Sequence, residues 1–259
     1  MLSFDAETTR VLDTAYVGAD LTRRRQASFD ALAPRPGDTI LDIGCGNGLL
    51  TEELARAVGT TGKVIGIDPS EDMRASADKR CTGLDCVELI AGTAHDLPLQ
   101  DTSVDRAVSV QVFEYIDDIE SALTEVLRVL KPGGRIVISD IHFDTFTWFS
   151  DDPKRMDNMM ASWDQHCVHR DVSAKLSALL AAKGHKVSDV HAHTMTDHVL
   201  KSDGLAVTMM HLMKAYAVAN RHVDAETAEA WFDEQLNLAS EGRFFFSMTQ
   251  FVVMAQKTG

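Results

Sequence analysis

Residues 38–50 read Asp38-Thr-Ile-Leu-Asp-Ile-Gly-Cys-Gly-Asn-Gly-Leu-Leu50. An apolar run carrying one acid, Asp42, leads straight into three glycines that alternate with other residues. The run has the length and composition of a buried strand, and the glycines mark a turn whose backbone comes close to something. A dinucleotide-binding turn spaces its glycines G-x-G-x-x-G, so that the third small residue lets helix and strand pack closely. Here Gly44, Gly46 and Gly48 alternate, and Leu49 takes the place of that third small residue. The spacing argues against NAD.

Working outward, an amphipathic helix from about Leu21 to Leu32 stops at Pro34-Arg-Pro-Gly37. Strand Thr39 to Ile43, the glycine turn and a helix from Leu49 to Val58 follow. Lys63 to Asp68, Val87 to Ala91, Val104 to Val110 and Arg135 to Asp140 read as further strands. Helices from about Ser70 and over Ile119 to Leu130 lie between them, the second stopped by Lys131-Pro-Gly-Gly134. Short apolar runs alternating with helices predict an α/β, doubly wound, mainly parallel sheet with helices on both faces. After residue 140 the pattern weakens. A helix over Val172 to Lys183, a strand over Lys186 to His193 and a last strand over Arg243 to Ala255 are readable. Between those two strands lie about fifty mostly helical residues, more than a connection needs. The expected layout is an amino-terminal helical segment over 1–35, a core over 36–195 and 242–259, and a helical cap over 196–241.

The chain has 259 residues and a net charge of −14. Its only basic run is Arg23-Arg24-Arg25, so a nucleic-acid partner is not expected. Four cysteines without CxxC pairing read as free thiols in a reducing compartment. No apolar run approaches the roughly 18 residues of a membrane span. A cytoplasmic protein without stable membrane association, monomeric or homodimeric, is expected.

Twenty-four residues after Gly44, the second strand ends in Asp68. A carboxylate there suits a ribose 2′,3′-diol, accepting two hydroxyl hydrogen bonds and repelling a 2′-phosphate. Alternating glycines without phosphate-binding Lys or Arg suit a nucleoside whose tail is an amino acid. Those features fit S-adenosylmethionine.

The stretches "LDIGCGNG", "GKVIGIDPS", "AGTAHDLP", "VDRAVSVQVFEYIDD" and "VLRVLKPGGRIVISD" resemble, in order and spacing, the motifs of class I S-adenosylmethionine-dependent methyltransferases, nearest the quinone-biosynthesis and small-molecule branch. The resemblance covers about residues 20–140. It implies a seven-stranded sheet whose last strand is antiparallel, with the cofactor, and later its product S-adenosylhomocysteine, over the carboxyl ends of the first strands. Asp42 and the turn residues Gly44, Cys45 and Gly46 would approach the methionine portion and ribose, and Asp68 would take the ribose hydroxyls. Met73 would pack on the adenine, and Gln111 would sit beneath the methionine moiety. Gly92-Thr93-Ala94 stands where G-D-A is usual, so Thr93 brings no charge. Its hydroxyl or the Ala94 amide would read the base. Tyr115 stands where histidine is common, and no role of that histidine transfers.

Arg23 to Arg25 read first as a solvated helix face; the other reading gives one of them, with Arg25 the choice, together with Tyr16, the cofactor's carboxylate. His191 and His193 share a strand face but lack a third ligand, so no metal is expected. Met195, Met209, Met210 and Met213 suit a pliable apolar wall. Tyr16, His166 and His169 are the catalytic candidates. On a helix, Trp163 and His166 would share one face and offer an aromatic and an imidazole to the acceptor. The expected reaction is in-line methyl transfer to a small, fairly apolar O-, C-, N- or S-nucleophile. The alternatives are a small-thiol S-methyltransferase needing little base catalysis, a non-catalytic cofactor-binding partner subunit, and an NAD oxidoreductase.

Overall fold

The computed structural model describes residues 17–258. Helix α1 (Ala19–Leu32) is followed by β1 (Thr39–Ile43), α2 (Leu49–Val58), β2 (Lys63–Asp68), α3 (Glu71–Arg80), β3 (Val87–Ala91) and β4 (Val104–Val110). Then come α4 (Ile119–Val129), β5 (Leu130–Ile141), a two-residue β6 (Thr147–Trp148), α5 (Pro153–Trp163), α6 (Val172–Ala182), β7 (Lys186–Asp197), α7 (Leu205–Ala219), α8 (Ala225–Ser240) and β8 (Phe246–Gln256). The expected α/β sheet is present.

The strands run β3-β2-β1-β4-β5-β8, with β7 on the far edge of β8. Strands β1 to β5 pair in parallel, whereas β8 is antiparallel to both β5 and β7. β8 is the antiparallel last strand that the resemblance implied. The sheet has eight strands rather than seven because Thr147 and Trp148 pair with Ser247 and Phe246 beyond the end of β5. Strand order reverses between β1 and β4, and such a switch point leaves a crevice outside the carboxyl ends of the strands.

Strands buried on both faces read as continuous apolar runs, which is why β1 and β2 could be seen in the sequence. Leu41, Ile43, Leu123, Val126 and Leu176 pack on one side of the sheet, under α4 and α6. Leu32, Ile40, Leu54 and Val58 pack on the other, under α1 and α2. Each such side chain contributes roughly 1.5–3 kcal/mol when fully buried.

A third cluster belongs to the second half of the chain. It joins α5, α7 and α8 to the end of β8 through Met156, Met159, Met210, Met213, Trp231 and Phe246. Trp148 Nε1 donates to Gln235 Oε1 at 2.9 Å, so this indole N–H keeps a partner inside the apolar layer. α7 and α8 fill the segment between β7 and β8 that the sequence marked as too long for a connection. β7 runs to Asp197, four residues beyond the expected strand, because its pairing with β8 continues to Phe246.

Candidate functional site

The carboxyl ends of β1, β2 and β4 open into a cavity of about 450 Å³. Its floor is the glycine turn. Gly44 and Gly46 have φ of +66° and +53°, a left-handed backbone that glycine adopts without strain. A Cβ on Gly44 would stand 2.2 Å from Val112 Cγ2, while one on Gly46 would meet nothing nearer than 4.0 Å. Gly44 thus lets the turn pass under β4, and Gly46 leaves backbone open to the cavity. Gly48 does a different job: its Cβ would come 2.8 Å from Ala77 in α3. It supplies the close helix packing that the third glycine supplies in a dinucleotide turn.

Asp68 sits at the tip of β2, almost fully buried. Its Oδ2 accepts from the Gly46 N–H at 3.0 Å and its Oδ1 from the Ser70 N–H at 2.8 Å. Both oxygens are oriented and retain lone pairs for a ligand's hydroxyls. Burial raises its pKa, against the pull of these two N–H groups. Asp42, beneath the turn, accepts from Thr51 Oγ1 at 2.6 Å, and burial lifts its carboxyl to about 7. Burial pushes the neighbouring Cys45 thiol far up, so it is an inert part of the wall.

Of the residues expected from sequence, Asp42, Gly44, Cys45, Gly46, Asp68, Met73, Thr93, Ala94, Gln111, Arg25 and His166 all line this cavity. Gln111 has φ +56°, an unusual value for a side-chain-bearing residue, and its N–H donates to Ser139 O at 2.8 Å. Met73 is held by Ser70, whose hydroxyl caps α3 by accepting from the Met73 N–H at 3.2 Å.

His169, and Arg25 in its ion pair, depart from the sequence reading. His169 is not among the cavity-lining residues; its N–H donates to Glu114 O at 3.0 Å, and its Nε2 lies 3.3 Å from Asp117 O. Tyr16 lies outside the described residues. Among the three arginines, Arg25 pairs with Glu53 at 2.9 Å, and Arg24 is the one that is both buried and in the cavity wall.

His166 meets Trp163, but not along a helix. α5 ends at Trp163, and the chain turns so that Trp163 O receives the His166 N–H at 2.9 Å and the His166 ring Nδ1 as well. The two rings stack at 3.9 Å with 18° between planes. Burial among aromatic rings lowers the His166 pKa to about 4, against the raising effect of Trp163 O. With Nδ1–H donating, Nε2 is an acceptor in a neutral ring.

The sequence reading missed Glu114 and Asp140, and among the three arginines it chose Arg25 over Arg24. Glu114 lines the cavity just past β4, with none of its surface exposed. Asp140, next to last in β5, is also fully buried, and its Oδ1 accepts the Glu114 N–H at 3.2 Å. An acid at the carboxyl end of a strand had drawn attention to Asp68, and the same signal was present in "VISD" at Asp140. Among the described residues, no three His, Cys, Asp or Glu side chains gather as a metal site. No helix among them is long and apolar enough to cross a membrane.

A methyltransferase-domain family matches residues 41–138. A Streptomyces fradiae relative, an uncharacterised 37.1 kDa protein in transposon Tn4556, is 34% identical over 90% of this chain and 67% of its own length. The demethylmenaquinone methyltransferase of Desulfitobacterium hafniense is 35% identical over 48% of this chain and 51% of its own. The 2-phytyl-1,4-naphtoquinone methyltransferase of Synechococcus elongatus is 40% identical over 42% of this chain and 48% of its own. The chain therefore spans about half the length of these quinone methyltransferases. Among solved structures, the Bacillus subtilis YcgJ protein superposes with a TM-score of 0.63 at 19% identity, covering 92% of this chain and 99% of that one. A SAM-dependent methyltransferase of Aquifex aeolicus gives 0.55 at 19% identity, covering 96% and 99%. Fold, motifs and relatives agree: the chain belongs to the class I S-adenosylmethionine-dependent methyltransferases, and S-adenosylmethionine is its cofactor.

Proposed function

We propose that the protein transfers the cofactor's methyl group to a small, fairly apolar acceptor held in the same cavity. The observation that carries this is the two-sided lining. One side is the glycine turn with Asp68, Met73 and Gln111; the other is Trp163, His166, Leu205, Met209 and Leu212. The polar side suits a nucleoside with an amino-acid tail, with Asp68 on the ribose diol, Met73 against the base, and Thr93 or the Ala94 amide at its edge. The buried Arg24 guanidinium suits the tail's carboxylate, with Arg25 held back by Glu53.

When bound, the cofactor supplies a sulfonium-activated methyl group whose positive charge disappears on transfer. The chain's own tasks are then alignment, exclusion of water and management of the acceptor's proton. Trp163 and the flexible thioether of Met209 offer flat and adaptable apolar surface for the acceptor. Helices α7 and α8, with α1, serve as the cover that keeps water out. The relatives' quinone substrates are apolar, in keeping with this side, but the family match stops at residue 138, before Trp163. The proposed acceptor class is therefore set by the wall itself.

Radiolabelled cofactor incubated with a panel of phenols, hydroquinones, amines and thiols tests the proposal. Label should move into at least one apolar acceptor, and Asp68→Ala should abolish most of that transfer by weakening cofactor binding. Incorporation into none of them, with S-adenosylhomocysteine bound normally, would favour the non-catalytic reading.

A further inference from the structure

Glu114 is a fully buried carboxyl group beside Asp140 and in the field of the Arg24 charge. Neither of its side-chain oxygens reaches a hydrogen-bond partner in good geometry among the described residues. The Arg24 charge, and then the Ile141 N–H and the Tyr115 hydroxyl, approach it and pull its pKa down. A buried carboxyl left in that state is costly, and a fold keeps such a cost at a working site rather than in a core. Its side chain is in the cavity wall, and its backbone ties that wall together. The Val168 and His169 N–H groups both donate to Glu114 O, at 2.9 and 3.0 Å, and the Tyr115 ring meets the His166 ring edge-on at 5.8 Å. Glu114 is thus moored to the segment that carries the proposed acceptor wall.

We propose that Glu114 is the residue that takes the acceptor's proton. The proposal rests on the methyl-transfer reading above and names the base within it. In the step, the acceptor's O–H bond breaks and the proton joins a Glu114 oxygen. The bonding electron pair stays on the acceptor oxygen as its nucleophilic pair, and the carboxyl later releases the proton to water. A buried carboxylate that becomes neutral as the sulfonium charge is lost leaves the cavity's net charge unchanged, which a low-dielectric site favours.

The surroundings support Glu114 over His166. Burial, with the adjacent Asp140 carboxyl second, holds the Glu114 pKa well above the usual carboxylate range, while Arg24 pulls it down. Asp140 accepts N–H groups from residues 112–114 and keeps the loop in place, a positioning role. From the segment after α5, Cys167 contributes a thiol pushed up to about 12, and hence neutral. Asp42, Asp68 and Asp117 are the other acids of the lining. An imidazole lowered to about 4 holds a transferred proton weakly, whereas Glu114, whose buried oxygens lie in the cavity wall, is held in surroundings that favour its protonated form. His166 is left to accept a hydrogen bond through Nε2.

The test uses 4-nitrophenol, whose ionised form is yellow, bound to the complex with S-adenosylhomocysteine. At about pH 6 the wild type and His169→Ala, whose ring lies outside the cavity, should show the nitrophenolate band of bound probe, and Glu114→Gln should show at least tenfold less of it. Glutamine matches a neutral carboxyl in size, so the variant should fold. Infrared spectra of the wild type give a second readout, a protonated-carboxyl stretch that grows when the probe binds. Affinity for S-adenosylhomocysteine should stay within twofold in Glu114→Gln. A band unchanged in Glu114→Gln overturns the proposal. So does a band lost in His166→Ala but kept in Glu114→Gln, or no carboxyl signal in the wild type. A tenfold loss of S-adenosylhomocysteine affinity in Glu114→Gln would also overturn it, assigning Glu114 to the cofactor's ammonium group. Failure of 4-nitrophenol to bind removes the proposal and leaves the cofactor reading standing, whereas failure of S-adenosylhomocysteine to bind the wild type removes both.

Discussion

On one side of the cavity, between Thr39 and Gln111, the wall is made by backbone and by single polar side chains. Opposite it, residues 163–212 present methionine, leucine and aromatic side chains. The first side depends on conformations that few residues can adopt: the left-handed turn at Gly44 and Gly46, and the doubly anchored carboxylate of Asp68. The second depends on filling space, where many apolar residues of similar volume would serve. A cofactor shared by a whole class needs the first kind of wall, and an acceptor that varies within the class is accommodated by the second. The difference also separates their energetics. Damage to the turn should strike binding, and damage to the apolar layer should strike stability.

The largest expected effect is on the apolar side. Trp231 has no exposed surface, and Trp231→Ala should lower unfolding free energy by about 3–5 kcal/mol in urea titrations. Affinity for S-adenosylhomocysteine, measured on the folded fraction, should change by only a few-fold. A large binding defect would show that the two sides are one mechanical unit. Gly44→Ala is the converse experiment. The new Cβ meets Val112 at 2.2 Å and the left-handed backbone adds strain of about 1–3 kcal/mol. Calorimetry should find S-adenosylhomocysteine affinity down by about a hundredfold, roughly 2.7 kcal/mol.

The same contrast explains what could be read from sequence. β1, β2 and the glycine turn were legible because parallel strands are apolar throughout and because Gly44, Gly46 and Asp68 occupy positions with few chemical substitutes. α7 and α8 were visible only as an overlong connection, since Met209-Met-His-Leu-Met213 carries no periodicity that separates a cavity wall from a core. His166 was found for a reason the fold does not use. The helix expected to align it with Trp163 ends at Trp163, and a turn brings the rings together instead. Glu114 and Asp140 escaped notice because each is an ordinary acid in sequence. Only the parallel pairing of β4 with β5 brings their carboxyl ends, and with them these two acids, together.

A pH series sharpens the comparison from the polar side. Burial raises the Asp42 carboxyl from 3.8 to about 7, so the folded state holds a proton that the unfolded chain releases. The stability this group contributes is full below about pH 4 and is lost as pH rises toward 7. Asp42→Asn should therefore gain stability over the wild type across that window, by at most about 4 kcal/mol in urea titrations. His166 works in the opposite sense: its contribution is present above about pH 6.5 and lost as pH falls toward 4. An Asp42→Asn curve parallel to the wild type would remove Asp42 as a buried, proton-holding group.

Smaller effects are expected where the acceptor wall is trimmed. Met209→Ala should raise the KM of a turned-over apolar acceptor several-fold and leave S-adenosylhomocysteine affinity within twofold. His169→Ala should change neither quantity by more than about twofold, because its ring lies outside the cavity. A large loss of turnover in His169→Ala would mean that this segment rearranges when the acceptor binds.

The central claim is that the alternating-glycine turn and Asp68 form a site for an adenosyl amino acid and not for a dinucleotide. Isothermal titration of the wild type and of Asp68→Ala, each with S-adenosylhomocysteine and with NAD, tests it directly. The account predicts saturable binding of S-adenosylhomocysteine to the wild type, weakened in Asp68→Ala by about 1.5–3 kcal/mol, and weaker or absent binding of NAD. Equal affinity in Asp68→Ala, or tighter binding of NAD than of S-adenosylhomocysteine, would contradict it.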